Sequence, residues 1–372
     1  MPQGIVICSH DAVQADQDHG EAMRWMAQWG LQDYVTHQAL ADGRRHSYRL
    51  QSACARHHLP HFDTLGLYDK FKLENLTPTQ ALGRETVLAL LASPLQLSFP
   101  SLDEFISAVR MRCYIVEAAR RTAMDFHTER VDRPVDYWEY QEDKGFLLKP
   151  GKCLIEALQQ ATQPELSGRL YAFSCYRATE YVILLGIAQE ARHSHPALLS
   201  QLVLQWQRQP IVSGRFHDVF LHEWGSNDAP LPATWFVPGD RVWFRNPDDH
   251  SSDIEGYEGS WVIYLGQGLF ANFWHPEQPY DLQTKSIELY HWRHGVRKAE
   301  QGGLYMDETA VARLVRETQQ DPNQVRDITQ RMLRLRDPQG VYADGGCLDN
   351  TRESPRWIRP GTTDIVLPNL AH

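Results

Sequence analysis

Apolar positions first become regular along this chain after Ser101. They recur there every three or four residues, which is the spacing of one helix face: Leu102, Phe105, Val109, Cys113, Val116 and Ala119. Ser101 and Glu104 have the spacing of a capping box, in which the Ser101 hydroxyl accepts a backbone hydrogen bond and the Glu104 side chain binds back to Ser101. The pattern predicts a core-facing helix after Ser101, with Cys113 as a packing residue.

Further helices and strands follow in a regular order. The patterns predict strands at 137–140 and 145–148, helices at 151–161 and 176–190, strands at 240–244, 260–265 and 268–274, and one more helix beyond residue 322 before an irregular end. Turn signals at 238–239 and 266–268 separate the later strands. A buried helix followed by strands on short turns predicts an α+β fold, with the helix packed on an antiparallel sheet.

Composition removes several classes of function. The 372 residues carry a net charge of −10, which argues against binding to a nucleic-acid backbone. No apolar run approaches the roughly 20 residues of a membrane-spanning helix, so we expect no membrane insertion. The first residues lack the pattern of a secretory signal, and the six cysteines form no Cys-x-x-Cys pair. We expect a cytoplasmic protein with reduced thiols, and later export by an unconventional route stays open.

The first 65 residues are rich in histidine and read as an N-terminal extension. They hold seven of the 17 histidines, and the densest group is Cys54, His57, His58 and His61. Zinc ligands at such close spacing do not suit an ordinary tetrahedral site, and no second cluster completes one. We therefore expect surface histidines and no metal, although zinc binding by this group stays open.

Cys175 is the strongest candidate for chemistry from position alone. Ser174 suits an N-cap, which places Cys175 in the first turn of the buried helix predicted over 176–190. Unpaired N–H groups and the helix dipole stabilise a thiolate there and lower its pKa, and the same N–H groups can form an oxyanion hole. The alternative is a small buried side chain that only fills space.

Four segments around these elements resemble the protein-glutamine γ-glutamyltransferases of bacterial spores. They occur in the expected order, at 111–119, 170–175, 238–247 and 259–266, and the resemblance covers residues 101 to about 315. The last two segments also resemble the core of NlpC-type cysteine peptidases. The resemblance implies a papain-like core within a domain at 66–318, in which a cysteine opens the central helix. Residues 319–372 would then form a C-terminal helix and an irregular tail outside the match.

The resemblance also implies a reaction. Cys175 would attack the carboxamide of a protein-bound glutamine, release ammonia and leave a thioester, which a lysine amine converts to an isopeptide crosslink. The partners would be proteins that bear glutamine and lysine, and no cofactor is needed. A dry channel would protect the thioester from water, and four aromatic residues are candidates for its walls: Trp224, Tyr257, Trp261 and Trp274. The alternative is that each of them only packs in the core.

The expected acid–base residues are replaced at every matched position. Ser174 stands where the spore enzymes have a glutamate, and Ser260 stands where they have a second glutamate or the peptidases a histidine. Asn272 replaces a histidine of the next strand and can orient a base without being one. In one interpretation the base has moved, with Glu258 and His275 as candidates, and the alternative for each is a solvated loop residue.

Two alternatives to a transglutaminase stay open at this point. A chain that keeps the cysteine without its base would be a non-catalytic relative that binds peptides or serves as a structural protein. A chain that admits water to the thioester would be a cysteine amidase or peptidase, which hydrolyses an amide without transferring it.

Overall fold

The computed structural model of the chain describes residues 1–125, 131–300, 302–337 and 345–368. Helices alternate with mainly antiparallel strands, which confirms the predicted α+β class. The strand predicted at 268–274 is largely wrong, because the strand stops at Phe270. The Asn272 side chain holds a turn there, accepting from the His275 N–H and donating to the Gln278 carbonyl. No helix of the described residues has the length and hydropathy of a membrane crossing.

The first hundred residues form a four-stranded sheet with helices packed on it. Its elements are β1 (Ile5–Cys8), α1 (Ala12–Gln28), β2 (Val35–Ala39), β3 (Arg45–Leu50), α2 (Ser52–His58), α3 (Leu67–Lys70), α4 (Pro78–Leu91) and β4 (Leu97–Phe99). The strand order is β2-β3-β1-β4, and α4 shares the hydrophobic core of this sheet. The boundary predicted at residue 65 therefore falls inside one folded unit, since β4 completes the sheet.

The rest of the chain surrounds a second sheet. Its elements are α5 (Leu102–Arg121), β5 (Trp138–Gln141), β6 (Gly145–Leu148), α6 (Leu154–Thr162), α7 (Pro164–Ser167), α8 (Cys175–Ser194), α9 (Pro196–Arg208), α10 (Phe216–Phe220), β7 (Leu221–Trp224), β8 (Arg241–Arg245), α11 (Asp249–Ser252), β9 (Gly259–Gly266), β10 (Leu269–Phe270), α12 (Leu282–Gly295), β11 (Val296–Lys298), β12 (Leu304–Met306), α13 (Glu308–Gln319), α14 (Pro322–Met332) and β13 (Arg352–Pro355).

The second sheet has the order β10-β9-β8-β13-β7 and separates two hydrophobic cores. Side chains alternate across a strand, so neighbouring residues of β9 enter different cores. Ile263 packs in the core around α8, whereas Val262 and Tyr264 pack in the core that α12, α13 and α14 close. The helix that carries Cys175 thus lies on one face of an antiparallel sheet, as predicted.

Helix α8 is apolar on almost every side because it is enclosed by α5, α6 and β9. Its contact with α5 is close enough to require glycine at position 186. A Cβ atom there would lie 2.4 Å from Cγ1 of Ile115 on α5, well inside van der Waals contact. This close packing fixes the direction in which the first turn of α8 points.

The helix predicted beyond residue 322 is present as α14, but the prediction of an irregular end after it is wrong for one segment. Residues 352–355 form β13, which is inserted between β8 and β7 in the middle of the sheet. The sequence Arg-Glu-Ser-Pro shows no apolar alternation that would reveal a strand. It is held by its backbone ladder to β7 and by an ion pair between Glu353 and the buried Arg241 of β8, at 3.2 Å. Residues 338–344 and 369–372 of the predicted tail lie outside the described residues.

Glu104 does not complete the predicted capping box. Ser101 caps α5 as expected, accepting from the Glu104 N–H at 3.1 Å, but the Glu104 carboxylate is fully buried and faces the C-terminal segment. It accepts from the backbone N–H groups of Ile358 and Arg359 at 3.0 and 2.9 Å, and from the Thr362 hydroxyl at 2.7 Å. The Glu104 carboxylate binds these three donors instead of the Ser101 N–H. Glu104 therefore anchors the C-terminal segment to α5.

Replacing Glu104 by alanine should lower the free energy of unfolding by about 3 kcal/mol, because two buried N–H groups lose their acceptor. Asp103→Ala is the matched control, since its exposed carboxylate meets only the Arg359 guanidinium and should cost less than about 1 kcal/mol. Urea denaturation followed by fluorescence measures both. Equal losses in the two variants would contradict the anchoring role.

Candidate active site

Cys175 is the first residue of α8, as the sequence predicts. Ser174 has an extended backbone and caps the helix, its hydroxyl accepting from the Arg177 N–H at 3.2 Å. The backbone N–H groups of Tyr176 and Trp261 both donate to the Cys175 sulfur. β10 pairs only with the far end of β9, so the beginning of β9 forms an open edge of the sheet beside the thiol.

The surroundings of the thiol raise its pKa. Burial is the main cause, and the negative charge of Glu258 acts in the same direction. The two N–H donors and the positive charge of Lys285 lower it but do not compensate for burial. The expected low thiol pKa is therefore wrong for the free protein, because the effect of burial outweighs the two N–H donors and the Lys285 charge.

Two side chains that the sequence did not single out, Lys285 and Tyr280, interact electrostatically with this thiol, and Glu288 lies beside them. Lys285 of α12 is 1% exposed, and its Nζ lies 3.3 Å from Oε2 of Glu288 and 4.1 Å from the ring centroid of Tyr280. The pKa of Tyr280 is raised by burial first, then by Glu288, and Cys175 also contributes. The buried Lys285, the Tyr280 phenol and the Glu288 carboxylate thus form one partly buried network that acts on the sulfur through its charges.

The sequence does carry a signal for this network. Asp281 caps α12, its carboxylate accepting from the Thr284 N–H at 2.6 Å, and apolar residues follow at helical spacing: Leu282, Leu289 and Trp292. The cap and the spacing together predict a helix that buries Lys285. The cap and the spacing do not reveal that α12 packs on the sheet, where the charge of Lys285 acts on Cys175.

Trp261 is the member of the predicted channel that the structure brings to Cys175. Its ring stacks on Trp243 at 5.8 Å and meets Tyr176 edge-on at 5.3 Å. The buried Arg241 guanidinium lies 4.2 Å from the ring centroids of both Tyr176 and Trp261. Its partner Glu353 also accepts a hydrogen bond from Nδ1 of His217 at 2.8 Å, which raises the pKa of that histidine.

The other predicted channel residues are dispersed. The Tyr257 hydroxyl donates to Glu308 at 2.6 Å, which ties the residue to α13. Trp274 packs against the core around α8. Trp224 lies on β7, at the opposite end of the sheet from Trp261, and its Nε1 donates to the Ser354 hydroxyl. The structure does not bring these three side chains together.

The predicted acid–base residues occupy different surroundings. Glu258 is exposed just before β9 and lies close enough to influence the pKa of Cys175. The His275 ring is 68% exposed and pairs with Glu277 at 3.6 Å. Asn272 is buried in the turn described above, with both ends of its amide engaged. Ser260 is 3% exposed and shares the sheet face of Val262, the face opposite Trp261.

A cleft of about 340 Å³ opens beside the first turns of α8. Ser174, Arg177 and Glu180 of that helix line it, together with apolar and aromatic side chains: Phe146, Phe173, Trp206, Ile211 and Val212. Burial raises the pKa of Glu180 to about 7 despite its ion pair with Arg177 at 2.5 Å. The cleft offers an apolar surface next to the residue that precedes Cys175.

Comparisons with known proteins agree on one family. A curated protein-glutamine gamma-glutamyltransferase of Halalkalibacterium halodurans is 25% identical over 208 residues, 54% of this chain and 66% of the relative. One of Bacillus mycoides is 26% identical over 197 residues, 50% of this chain and 64% of the relative. The chain thus spans just under two thirds of these relatives. A solved transglutaminase of Geobacillus stearothermophilus, without its C-terminal extension, overlays 58% of this chain and 98% of its own at a TM-score of 0.39 and 20% identity.

The family model for protein-glutamine gamma-glutamyltransferase matches residues 68–365. That match reaches well past residue 322, so the expectation that the C-terminal segment lies outside the resemblance is wrong. The C-terminal segment is part of the matched domain because its strand β13 completes the sheet on which α8 packs. On this match over most of its length, the chain belongs to the protein-glutamine gamma-glutamyltransferase family.

Proposed function

We propose that this chain is a transglutaminase in which Cys175 takes the acyl group of a protein-bound glutamine and passes it to a lysine amine. One observation carries the proposal: the Cys175 thiol opens a buried helix and receives backbone N–H bonds from Tyr176 and Trp261. Membership of the family makes acyl transfer the reaction that this arrangement serves. The first step forms a carbon–sulfur bond and releases ammonia, and the second forms an isopeptide bond and frees the thiol.

The N–H groups at the thiol suit both steps of this reaction. When a carboxamide is attacked, negative charge moves to its oxygen, and helix-start N–H groups stabilise such a charge without moving. The Tyr176 N–H belongs to the first turn of α8, where no intrahelical acceptor competes for it. The stacked rings of Trp261 and Trp243 restrict water at the open edge of β9, which favours the amine over hydrolysis.

Formation of the thiolate is the demanding step, because burial raises the pKa of the thiol. We propose that Glu258 accepts the proton, since among the predicted bases its charge acts on Cys175. Lys285 then stabilises the thiolate that remains, supported by Glu288. In this proposal, Glu258 and Lys285 together take the role of the glutamates that are absent at positions 174 and 260.

The purified protein should incorporate a fluorescent primary amine into casein, and Cys175→Ala should abolish the incorporation. Cys153→Ala is the matched control, because Cys153 also lies at the start of a helix, as the N-cap of α6, but is exposed. Ammonia release is measured in the same reactions to follow the first step.

Each other outcome contradicts the proposal in a defined way. Ammonia release without amine uptake would identify a hydrolase. Equal silence of the wild type and Cys175→Ala across pH 6–9, with both proteins folded, would identify a non-catalytic relative. Equal loss in Cys175→Ala and Cys153→Ala would point to a structural effect of removing any thiol.

The two charges near the thiol should shift its reactivity in opposite directions. Lys285→Met removes a cation that lowers the pKa of Cys175, so the midpoint of alkylation against pH moves up. Glu258→Gln removes a charge that raises this pKa, so the midpoint moves down, and amine incorporation falls because the proton acceptor is lost. Iodoacetamide labelling of the Cys175 peptide, quantified by mass spectrometry, measures both midpoints.

Glu255→Gln is the matched control for Glu258→Gln, since it removes a nearby exposed carboxylate of the same loop. It should leave the midpoint and the incorporation rate unchanged. Unchanged incorporation in Glu258→Gln would remove Glu258 from the reaction while leaving the role of Cys175 intact.

A further inference from the structure

Helix α1 packs on the first sheet, and its contact with the sheet combines apolar side chains with one histidine. The apolar part of the helix stripe is formed by Ala15, Ala22 and Met26. His19 lies on the same stripe, between the two alanines. On the sheet side, the pairing register places His37 of β2 opposite Tyr48 of β3, and His46 two residues before Tyr48 on the same face.

The three histidines meet between the helix and the sheet. Nε2 of His37 lies 2.6 Å from Nδ1 of His46, and the rings of His19 and His37 stack with centroids 3.7 Å apart. One nitrogen from each ring lies within 4.8 Å of the other two. Nδ1 of His19 also lies 3.1 Å from the hydroxyl of the buried Tyr48. Three elements that follow one another in sequence, α1, β2 and β3, thus contribute one imidazole each to a single cluster.

The surroundings of His19 and His37 disfavour protonation of their rings. Burial first, and then the two neighbouring rings, lowers the pKa of His37 to about 4, and burial likewise lowers the pKa of His19. A neutral imidazole keeps a lone pair for a metal, whereas a second proton in the group would meet direct repulsion. His46 is 5% exposed while His19 and His37 are partly exposed, so an ion can reach the site from solvent.

We propose that His19, His37 and His46 form a binding site for a divalent transition metal of the zinc class. Zinc–nitrogen bonds of about 2.0–2.1 Å in a tetrahedron place ligand nitrogens about 3.4 Å apart, so small side-chain rotations bring the three into place. Imidazole nitrogen favours zinc, copper and nickel over magnesium or calcium, which prefer oxygen. A water molecule would complete the fourth position.

The site lies outside the part of the chain that the family model matches, which begins at residue 68. It is also separate from the predicted group of Cys54, His57, His58 and His61, since among the described residues the one such cluster that the structure assembles is His19–His37–His46. A metal there would bridge α1 to β2 and β3. Its effect would be to stabilise the first sheet and its helix.

Zinc titration of the chelator-treated full chain tests this site. Isothermal calorimetry should give one equivalent of tight binding, and the melting temperature should rise with zinc concentration because the metal binds the folded state. Cobalt(II) should give the strong visible absorption of tetrahedral coordination. His37→Gln and His19→Gln should each weaken binding at least about a hundredfold, since each removes one of three protein ligands.

His57→Gln is the matched control, because it removes an exposed histidine of the same unit. It should leave the stoichiometry and the affinity unchanged. Far-UV circular dichroism confirms that the variants fold, and His19→Gln, on the helix surface, keeps the test valid where a sheet variant does not fold. Absence of stoichiometric binding, unchanged affinity in folded His37→Gln and His19→Gln, or equal weakening in His57→Gln would each overturn the proposal.

Discussion

The position of one helix terminus governs the chemistry of this protein. Helix α8 lies so close to α5 that only glycine fits at 186, against Ile115, and its other side is fixed by β9. A helix held on both sides has no freedom to slide or rotate, so its first residue meets the open edge of β9 at a defined place. The hydrogen bond from the Trp261 N–H to Cys175 follows from that constraint.

Shielding the thiol has two opposing effects. In the proposed reaction it keeps water from the thioester, and in the free protein it raises the pKa of the Cys175 thiol. Charges introduced from neighbouring elements address the second effect, with Lys285 reaching the thiol from the helix layer on the other face of the sheet. In our proposal the serines at 174 and 260 are tolerated because acid–base function has moved to Glu258 and α12.

Local patterns were sufficient to predict α8 but not the side chains that meet its first residue. The Ser174 cap and the apolar run after it predicted α8 and the place of Cys175, because both signals lie within a few residues. Lys285 is more than a hundred residues away from Cys175 in sequence, and no local pattern encodes their proximity. Glu104 shows the same limit, since its spacing matched a capping box while its true partners are Ile358 and Arg359. β13 was missed because its stability comes from strands on both sides rather than from its own side chains.

The central place of β13 also bears on how the protein matures. A sheet with the order β10-β9-β8-β13-β7 stays split until residues near 355 have left the ribosome. Until then Arg241, whose guanidinium rests on Tyr176 and Trp261, lacks the carboxylate of Glu353. A nascent chain would thus carry Cys175 beside an incomplete sheet, and the ion pair that holds Arg241 would form only after residues near 355 emerge.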